Sequence, residues 1–118
     1  MQVISLRNAS LHAEVLPSAA GGLARLDWIA HGSPQPVMRP LDVAPGAAPP
    51  TTSQLACFPL VPWSNRIGAG GFTFAGRHVA VSPNRPGEPC PIHGDGWQHP
   101  WVVQAQSPTG VSLCLDRR

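Results

Sequence analysis

The stretch Leu11-His12-Ala13-Glu14-Val15 decides the fold class of this chain, because apolar and polar side chains alternate along it. A period of two residues is typical of a half-buried β-strand. Pro17 and the pair Gly21-Gly22 end this strand, and the alternation resumes over residues 23–29. Two such segments joined by a short turn region predict an antiparallel hairpin or meander.

The second of these strands is expected to have one apolar and one polar face. Leu26 and Trp28 should lie on the apolar face, and Arg25 and Asp27 on the polar one. Further short alternating segments predict strands at 2–6, 72–74, 78–81, 101–104 and 111–115. The apolar side chains of the 72–81 hairpin should share one face. With 15 prolines and 12 glycines leaving no room for a long helix, the chain is predicted to be all-β.

The segment 33–50 carries six prolines and no alternating pattern. A segment of this length without a pattern predicts a long surface connection. We expect it to be poorly ordered and to add no strand to the sheet.

Composition excludes several classes of protein. The 118 residues are 42% hydrophobic and only 12% charged, with a net charge of +2 carried by eight arginines and no lysine. So weak and scattered a charge is not the footprint of a nucleic-acid-binding protein. No run of about 18 apolar residues predicts a membrane span, and no signal peptide is evident at the N-terminus. Three cysteines, Cys57, Cys90 and Cys114, are an odd number and predict free thiols in the cytoplasm.

Two loops rich in Pro and Gly carry the candidate site residues. One holds the pair Asn65-Arg66, whose amide and five guanidinium donors suit a neutral, hydroxyl-rich ligand. The other holds His93, an imidazole suited to proton transfer, and Trp97, a flat face for a sugar ring. The alternative is that Arg66 ties down its own loop through backbone carbonyls, and that His93 is a loop histidine bonded to backbone with Trp97 in the core.

A metal site is not expected. Cys90 and His93 have the spacing of half a zinc site, with His99 nearby, but a structural site needs four ligands. Glu88, in the loop before His93, is expected to be a solvated carboxylate.

In combination, these motifs resemble the N-terminal part of the aldose 1-epimerase (galactose mutarotase) family. The matching elements are Pro62-Trp63-Ser64-Asn65-Arg66-Ile67, Gly71-Phe72-x-Phe74-x-Gly76, Asn84, and Ile92-His93-Gly94-x-Gly96-Trp97. The resemblance implies an antiparallel β-sandwich, part of a larger supersandwich, and interconversion of the α and β anomers of free hexoses without a cofactor. It implies that Arg66 binds the sugar and that His93 positions it and supports acid–base catalysis.

The family's second histidine and its glutamate base have no counterpart in this sequence. We therefore expect residues 1–118 to be the N-terminal part of a single, apparently truncated, domain that is weak or inactive alone. A final strand ending at Leu115 would leave an open sheet edge, through which two copies could associate. Two alternatives stay open: a non-catalytic sugar-binding module, and a hexose-phosphate epimerase relative in which Arg77 or Arg85 meets the phosphate.

Overall fold

The computed structural model describes residues 1–117, which are all-β as the alternating pattern predicts. Neighbouring strands in this range pair antiparallel. The strands are β1 (Ile4–Arg7), β2 (Leu11–Leu16), β3 (Gly22–Trp28), β4 (Gln35–Pro36), β5 (Phe72–Phe74), β6 (Arg77–Val79), β7 (Val102–Ser107) and β8 (Gly110–Cys114). Single turns of 3₁₀ helix lie at Pro17–Ala19, Thr52–Gln54 and Gly96–Gln98. No helix in the described range is long and apolar enough to cross a membrane.

The chain divides into two compact units. The strand unit comprises Met1–Pro59 with residues 98–117, and the loop unit comprises Leu60–Trp97. The strand unit contains a sheet of order β1-β2-β3-β4 and the separate β7-β8 pair, whereas the loop unit contains the β5-β6 hairpin.

The predicted meander forms the main sheet of the strand unit. In its register Leu6 pairs with Ala13 and Ala13 with Leu26, so apolar side chains line up across three strands. The turn between β1 and β2 is held by Asn8, whose Oδ1 accepts from the backbone N–H groups of Ser10 and Leu11 at 2.8 Å each. Such local bonding is why asparagine favours turns.

The apolar core of the strand unit lies on this sheet. Leu16, Ala19, Ala24 and Leu55 are buried together. The partly buried side chains packed against them are Met1, Val3, Leu41, Val43 and Phe58. Burial of this apolar surface is the main source of stability in the unit.

The predicted faces of β3 are wrong at its C-terminal end. Trp28 is 41% exposed, whereas Asp27 is 2% exposed. Arg25 Nη1 donates to Asp27 Oδ2 at 3.2 Å, which offsets part of the cost of burying the carboxylate, whereas Asp27 Oδ1 is buried without a hydrogen-bond partner among the described residues. Arg25 also pairs with Asp42 at 2.7 Å, and it lies 3.8 Å from Glu14. A buried charge of this kind requires such a partner.

The segment 33–50 is also more structured than predicted. Its residues Gln35–Pro36 form β4, which pairs with β3. Beyond β4, Val37 and Leu41 donate backbone hydrogen bonds to Leu26 and Ala24 at 2.8 Å each. Prolines can lie in an edge strand as long as the donors fall at other positions. The segment therefore follows the edge of the sheet.

The second sheet of the strand unit is longer than predicted, because β7 extends to Ser107. Within the described part of the chain, β8 pairs with β7 and has no strand on its other side. The open edge is therefore present, and self-association through it stays a prediction.

The β5-β6 hairpin of the loop unit forms as predicted, with β5 at the predicted residues and β6 at Arg77–Val79 where residues 78–81 were expected. Ala75 and Gly76 connect its strands with φ of 49° and 72°, as the tight turns of hairpins require. The register places Phe72, Phe74 and Val79 on one face, and all three are exposed.

Candidate functional site

The Arg loop (Val61–Ile67) and the His loop (Pro91–Trp97) meet at one isolated antiparallel bridge. Arg66 pairs with Ile92. On either side of this pair, the Ile67 N–H donates to the Pro91 carbonyl at 3.0 Å and the His93 N–H donates to the Asn65 carbonyl at 2.9 Å. The pair is thus of the closely spaced, non-hydrogen-bonded type, in which facing side chains are nearest. Two residues 26 positions apart in sequence are in this way brought side by side.

Asn65 and His93 face each other across this bridge in the left-handed conformation, with φ of 64° and 62°. Asparagine, aspartate and histidine are the non-glycine residues found most often in this region. Besides the carbonyl bond already described, the Asn65 backbone N–H donates to His93 Nδ1 at 2.9 Å. The two residues therefore bond reciprocally, and the imidazole is held by backbone rather than by another side chain.

This contact fixes the tautomer of His93. Since Nδ1 accepts a hydrogen bond, the proton of the neutral ring must lie on Nε2. The neutral imidazole can therefore offer Nε2–H as a donor. A proton added to Nδ1 would place two donors against each other and break the bond to Asn65.

The side chains of Asn84 and Trp97 form hydrogen bonds with the backbone of the His loop. Asn84 Nδ2 donates to the carbonyls of Ile92 and Gly94 at 2.8 and 2.6 Å, and its Oδ1 accepts from the Ile92 N–H at 2.9 Å. The Trp97 Nε1–H donates to the Gly94 carbonyl at 2.9 Å and approaches that of Ile92 at 3.2 Å. The indole N–H of Trp97 is therefore occupied in holding the loop that carries His93.

Gly94 allows the two loops to approach closely. Its φ is 63°, and a Cβ at this position would clash with the carbonyl oxygen of Val61. The Gly96 N–H donates to that same carbonyl at 3.1 Å. A side chain at position 94 would therefore separate the Arg loop from the His loop.

Arg66 is held by a carboxylate and not by backbone carbonyls. Its Nε and Nη2 lie 2.8 and 2.7 Å from Oε2 of Glu88. The other oxygen of Glu88 accepts from the Cys90 N–H at 3.2 Å. The expectation of a solvated carboxylate at position 88 was wrong, because the Glu88 side chain is 18% exposed and has both oxygens bonded.

The pairing changes the acidity of both groups. The hydrogen bond from Arg66 is the main cause of a Glu88 pKa below the ordinary value of 4.5, and the bond from the Cys90 N–H adds to it. The hydrogen bond to Glu88 likewise raises the pKa of Arg66. Glu88 is thus a weaker base than a free glutamate.

The structure brings three of the predicted site residues into one bonded cluster, in which Asn65 contacts both partners. Its Oδ1 lies 3.4 Å from Arg66 Nη1, and its backbone binds His93. Trp97 supports the cluster through the His loop. Glu88 was missed as a member, because nothing in its sequence surroundings marks it as a partner of an arginine 22 positions earlier.

Metal ligands do not cluster here. Between residues 1 and 117, no group of three or more His, Cys, Asp or Glu side chains could hold a metal ion.

The chain is an all-β protein of antiparallel sheets in which two bonded loops bring an arginine and a histidine together. Residues 2–118 match the family model described as aldose 1-epimerase. The chain therefore belongs to the aldose 1-epimerase family.

A curated protein and a solved structure, both from Escherichia coli K12, are similar to the chain. The uncharacterized protein YphB is 33% identical over 115 residues, which cover 98% of this chain and 36% of YphB. A crystal structure described as that of a "putative aldose 1-epimerase" superposes with a TM-score of 0.80 at 27% identity. That match covers 99% of this chain and 37% of the other. The chain thus spans little more than a third of the length of these relatives.

Proposed function

We propose that this chain supplies the hexose-binding loops of an isomerase that interconverts the α and β anomers of free sugars. The observation that carries the proposal is the bonded cluster of Asn65, Arg66 and His93 across the bridge between Arg66 and Ile92. Family membership supports the reaction class.

Hydrogen-bond donors dominate what the cluster offers a ligand. Glu88 binds the edge of the Arg66 guanidinium formed by Nε and Nη2. The end formed by Nη1 and Nη2 therefore still has N–H groups to offer a ligand. His93 offers Nε2–H. Two neighbouring sugar oxygens fit the two nitrogens of a guanidinium end, and a third oxygen fits the imidazole.

His93 acts in this proposal by donating a hydrogen bond to a sugar oxygen. Donation to the ring oxygen would stabilise the charge that develops there as the C1–O bond opens. The base that removes the C1 hydroxyl proton is not supplied by Glu88, whose lowered pKa and occupied oxygens make it a poor acceptor. We therefore expect the 118-residue chain to bind hexose without accelerating mutarotation.

Two alternatives lead to different results. A non-catalytic sugar-binding module is favoured by the same donor-rich cluster and would show no mutarotation in any longer form of the protein. A hexose-phosphate epimerase relative would bind phosphate through Arg77, on exposed β6, or Arg85. In either case we place the protein in the cytoplasm, because Cys57, Cys90 and Cys114 are free thiols.

Titration with glucose and galactose, followed by ¹H–¹⁵N NMR, tests the proposal. We expect saturable shifts of the Asn65, Arg66 and His93 amides in the millimolar range, at most tens of millimolar. Arg66→Ala should abolish them. Arg77→Ala, which removes an exposed arginine of the same unit, should not.

Absence of any saturable shift in the wild type would contradict hexose binding. Polarimetry of fresh α-glucose separates binding from catalysis. A rate above that of buffer would show that this chain contains a base that the proposal does not assign.

A further inference from the structure

Glu88 occupies one particular edge of the Arg66 guanidinium. Both contacts go from the Nε and Nη2 side of the group to a single carboxylate oxygen. The second oxygen is held by the Cys90 N–H, so the carboxylate cannot turn freely. The guanidinium is thereby fixed in orientation, because its planar fork must align with a partner that is itself anchored.

The donors left over lie on the opposite end of the group. A guanidinium has five N–H bonds, and Glu88 takes one from Nε and one from Nη2. The remaining N–H of Nη2 and those of Nη1 point away from the carboxylate. Asn65 Oδ1, at 3.4 Å from Nη1, is a long and weak acceptor for one of them. A pair of parallel donors is therefore available to a ligand.

The charge of this donor pair is offset. Arg66 and Glu88 together carry no net charge, so the exposed edge offers hydrogen bonds with little attraction for an anion. Arg85 lies across a turn from Glu88, since its carbonyl accepts the Glu88 N–H at 3.1 Å. Without the carboxylate, this part of the loop unit would present two arginines and no acid between them.

We propose that Glu88 is a specificity-determining residue: it orients Arg66 and cancels its charge, so that the site takes uncharged sugars and disfavours phosphorylated ones. The inference deepens the proposed function and rests on it. Glu88 acts through Arg66, without touching the reacting atoms.

The test compares glucose with glucose 6-phosphate on the wild-type chain, Glu88→Gln, Glu88→Ala and Glu88→Asp. The ratio of the two dissociation constants is the readout. Removing the charge of Glu88 should make binding of glucose 6-phosphate about three- to tenfold tighter relative to binding of glucose. A salt concentration of 0.5 M should reduce this change by screening. Glu88→Asp, which keeps the charge, should return the ratio to within about twofold of wild type. The Arg66 Nε–H signal should lose its hydrogen-bonded shift in Glu88→Ala and show a smaller one in Glu88→Gln, whose amide oxygen is an uncharged acceptor.

Asp42→Asn is the matched control. It changes the net charge by the same amount as Glu88→Gln and also removes the ion-pair partner of an arginine. That arginine, Arg25, belongs to the strand unit. Its sugar selectivity should equal that of the wild type.

Each outcome decides the matter. If the wild type binds no glucose, the proposed function and this inference fall together. If glucose binds and the ratio is unchanged in the charge-free variants, the inference alone is wrong. If circular dichroism shows that both charge-free variants are unfolded, Glu88 has a purely structural role, which also overturns the inference.

Discussion

The strand unit and the loop unit are built by different physical means. In the strand unit, regular ladders place Leu16, Ala24 and Leu55 in a common apolar cluster. In the loop unit, the site loops are held by polar contacts from Asn84 and Trp97 to backbone carbonyls. The difference teaches that the scaffold depends on burial, whereas the candidate site depends on a few directional hydrogen bonds. Directional bonds are the better means of fixing donors at defined positions.

Gly94→Ala should cause the largest loss of stability. The new Cβ would meet the Val61 carbonyl in a backbone conformation that alanine disfavours, and we expect a cost of about 4 kcal/mol or more in the free energy of unfolding. Urea denaturation measures this cost. Gly87→Ala is the control, because its φ is 76° but no atom lies within 4 Å of the added Cβ. It should cost about 1 kcal/mol. Equal costs for the two variants would show that the Arg loop and the His loop do not approach closely at Gly94.

Leu16→Ala tests the apolar side of the comparison. The side chain is fully buried in the core of the strand unit, and its loss should cost about 3 kcal/mol through lost burial and a cavity. Leu11→Ala, at a position 39% exposed, should cost less than about 1 kcal/mol. The slope of the denaturation curve should stay unchanged for both. A similar cost at the two positions would argue against an apolar core at Leu16.

Asn84→Ala tests the polar side. It removes at least three hydrogen bonds and leaves the buried Ile92 N–H without its acceptor, so we expect a loss of about 2 kcal/mol. Asn8→Ala is a matched control in the strand unit, since it removes two bonds to exposed backbone groups and should cost about 1 kcal/mol or less. Hydrogen exchange should locate the effect of Asn84→Ala in the His loop. Faster exchange spread evenly over both units would contradict a local role.

The smallest effect concerns pH. Since the pKa of Glu88 is lowered on folding, its pairing with Arg66 stabilises the protein above the ordinary value of 4.5, and this stabilisation is lost as the pH falls through the lowered pKa. The denaturation midpoint of the wild type should therefore exceed that of Glu88→Gln at pH 7, and the two should converge as the pH falls through the lowered pKa of Glu88. In an Arg66→Gln background the difference should be much smaller. If the difference between the two midpoints grew toward acid pH, the ionised Glu88 would not stabilise the folded protein, contrary to this prediction.

The sequence predicted the regular strands better than it predicted burial at single residues or the pairing at the sheet edge, for a physical reason. Alternation reports which side chains face a core, and it located β2, β3 and β5 to within a residue or two. It did not predict the burial of Asp27, because that burial depends on an ion pair with Arg25. It also missed β4, because a segment rich in proline does not show the alternating pattern of a strand. The backbone donors that bind the sheet edge belong to residues between the prolines.

The candidate site was predicted from motifs and not from periodicity. Asn65, Arg66 and His93 were chosen for their chemistry, and the structure places them in contact. The partner of Arg66 could not be predicted, because a loop carboxylate has no periodic signature and its pairing depends on how two loops meet. The same holds for the imidazole tautomer, which is set by the Asn65 backbone N–H.

A long-range ¹H–¹⁵N correlation spectrum of the His93 imidazole, recorded during a glucose titration, tests the central claim most directly. We predict an unprotonated Nδ1, a protonated Nε2, and a saturable shift of Nε2 as sugar binds. A proton on Nδ1 in the neutral ring, or an Nε2 signal that glucose does not move, would contradict it.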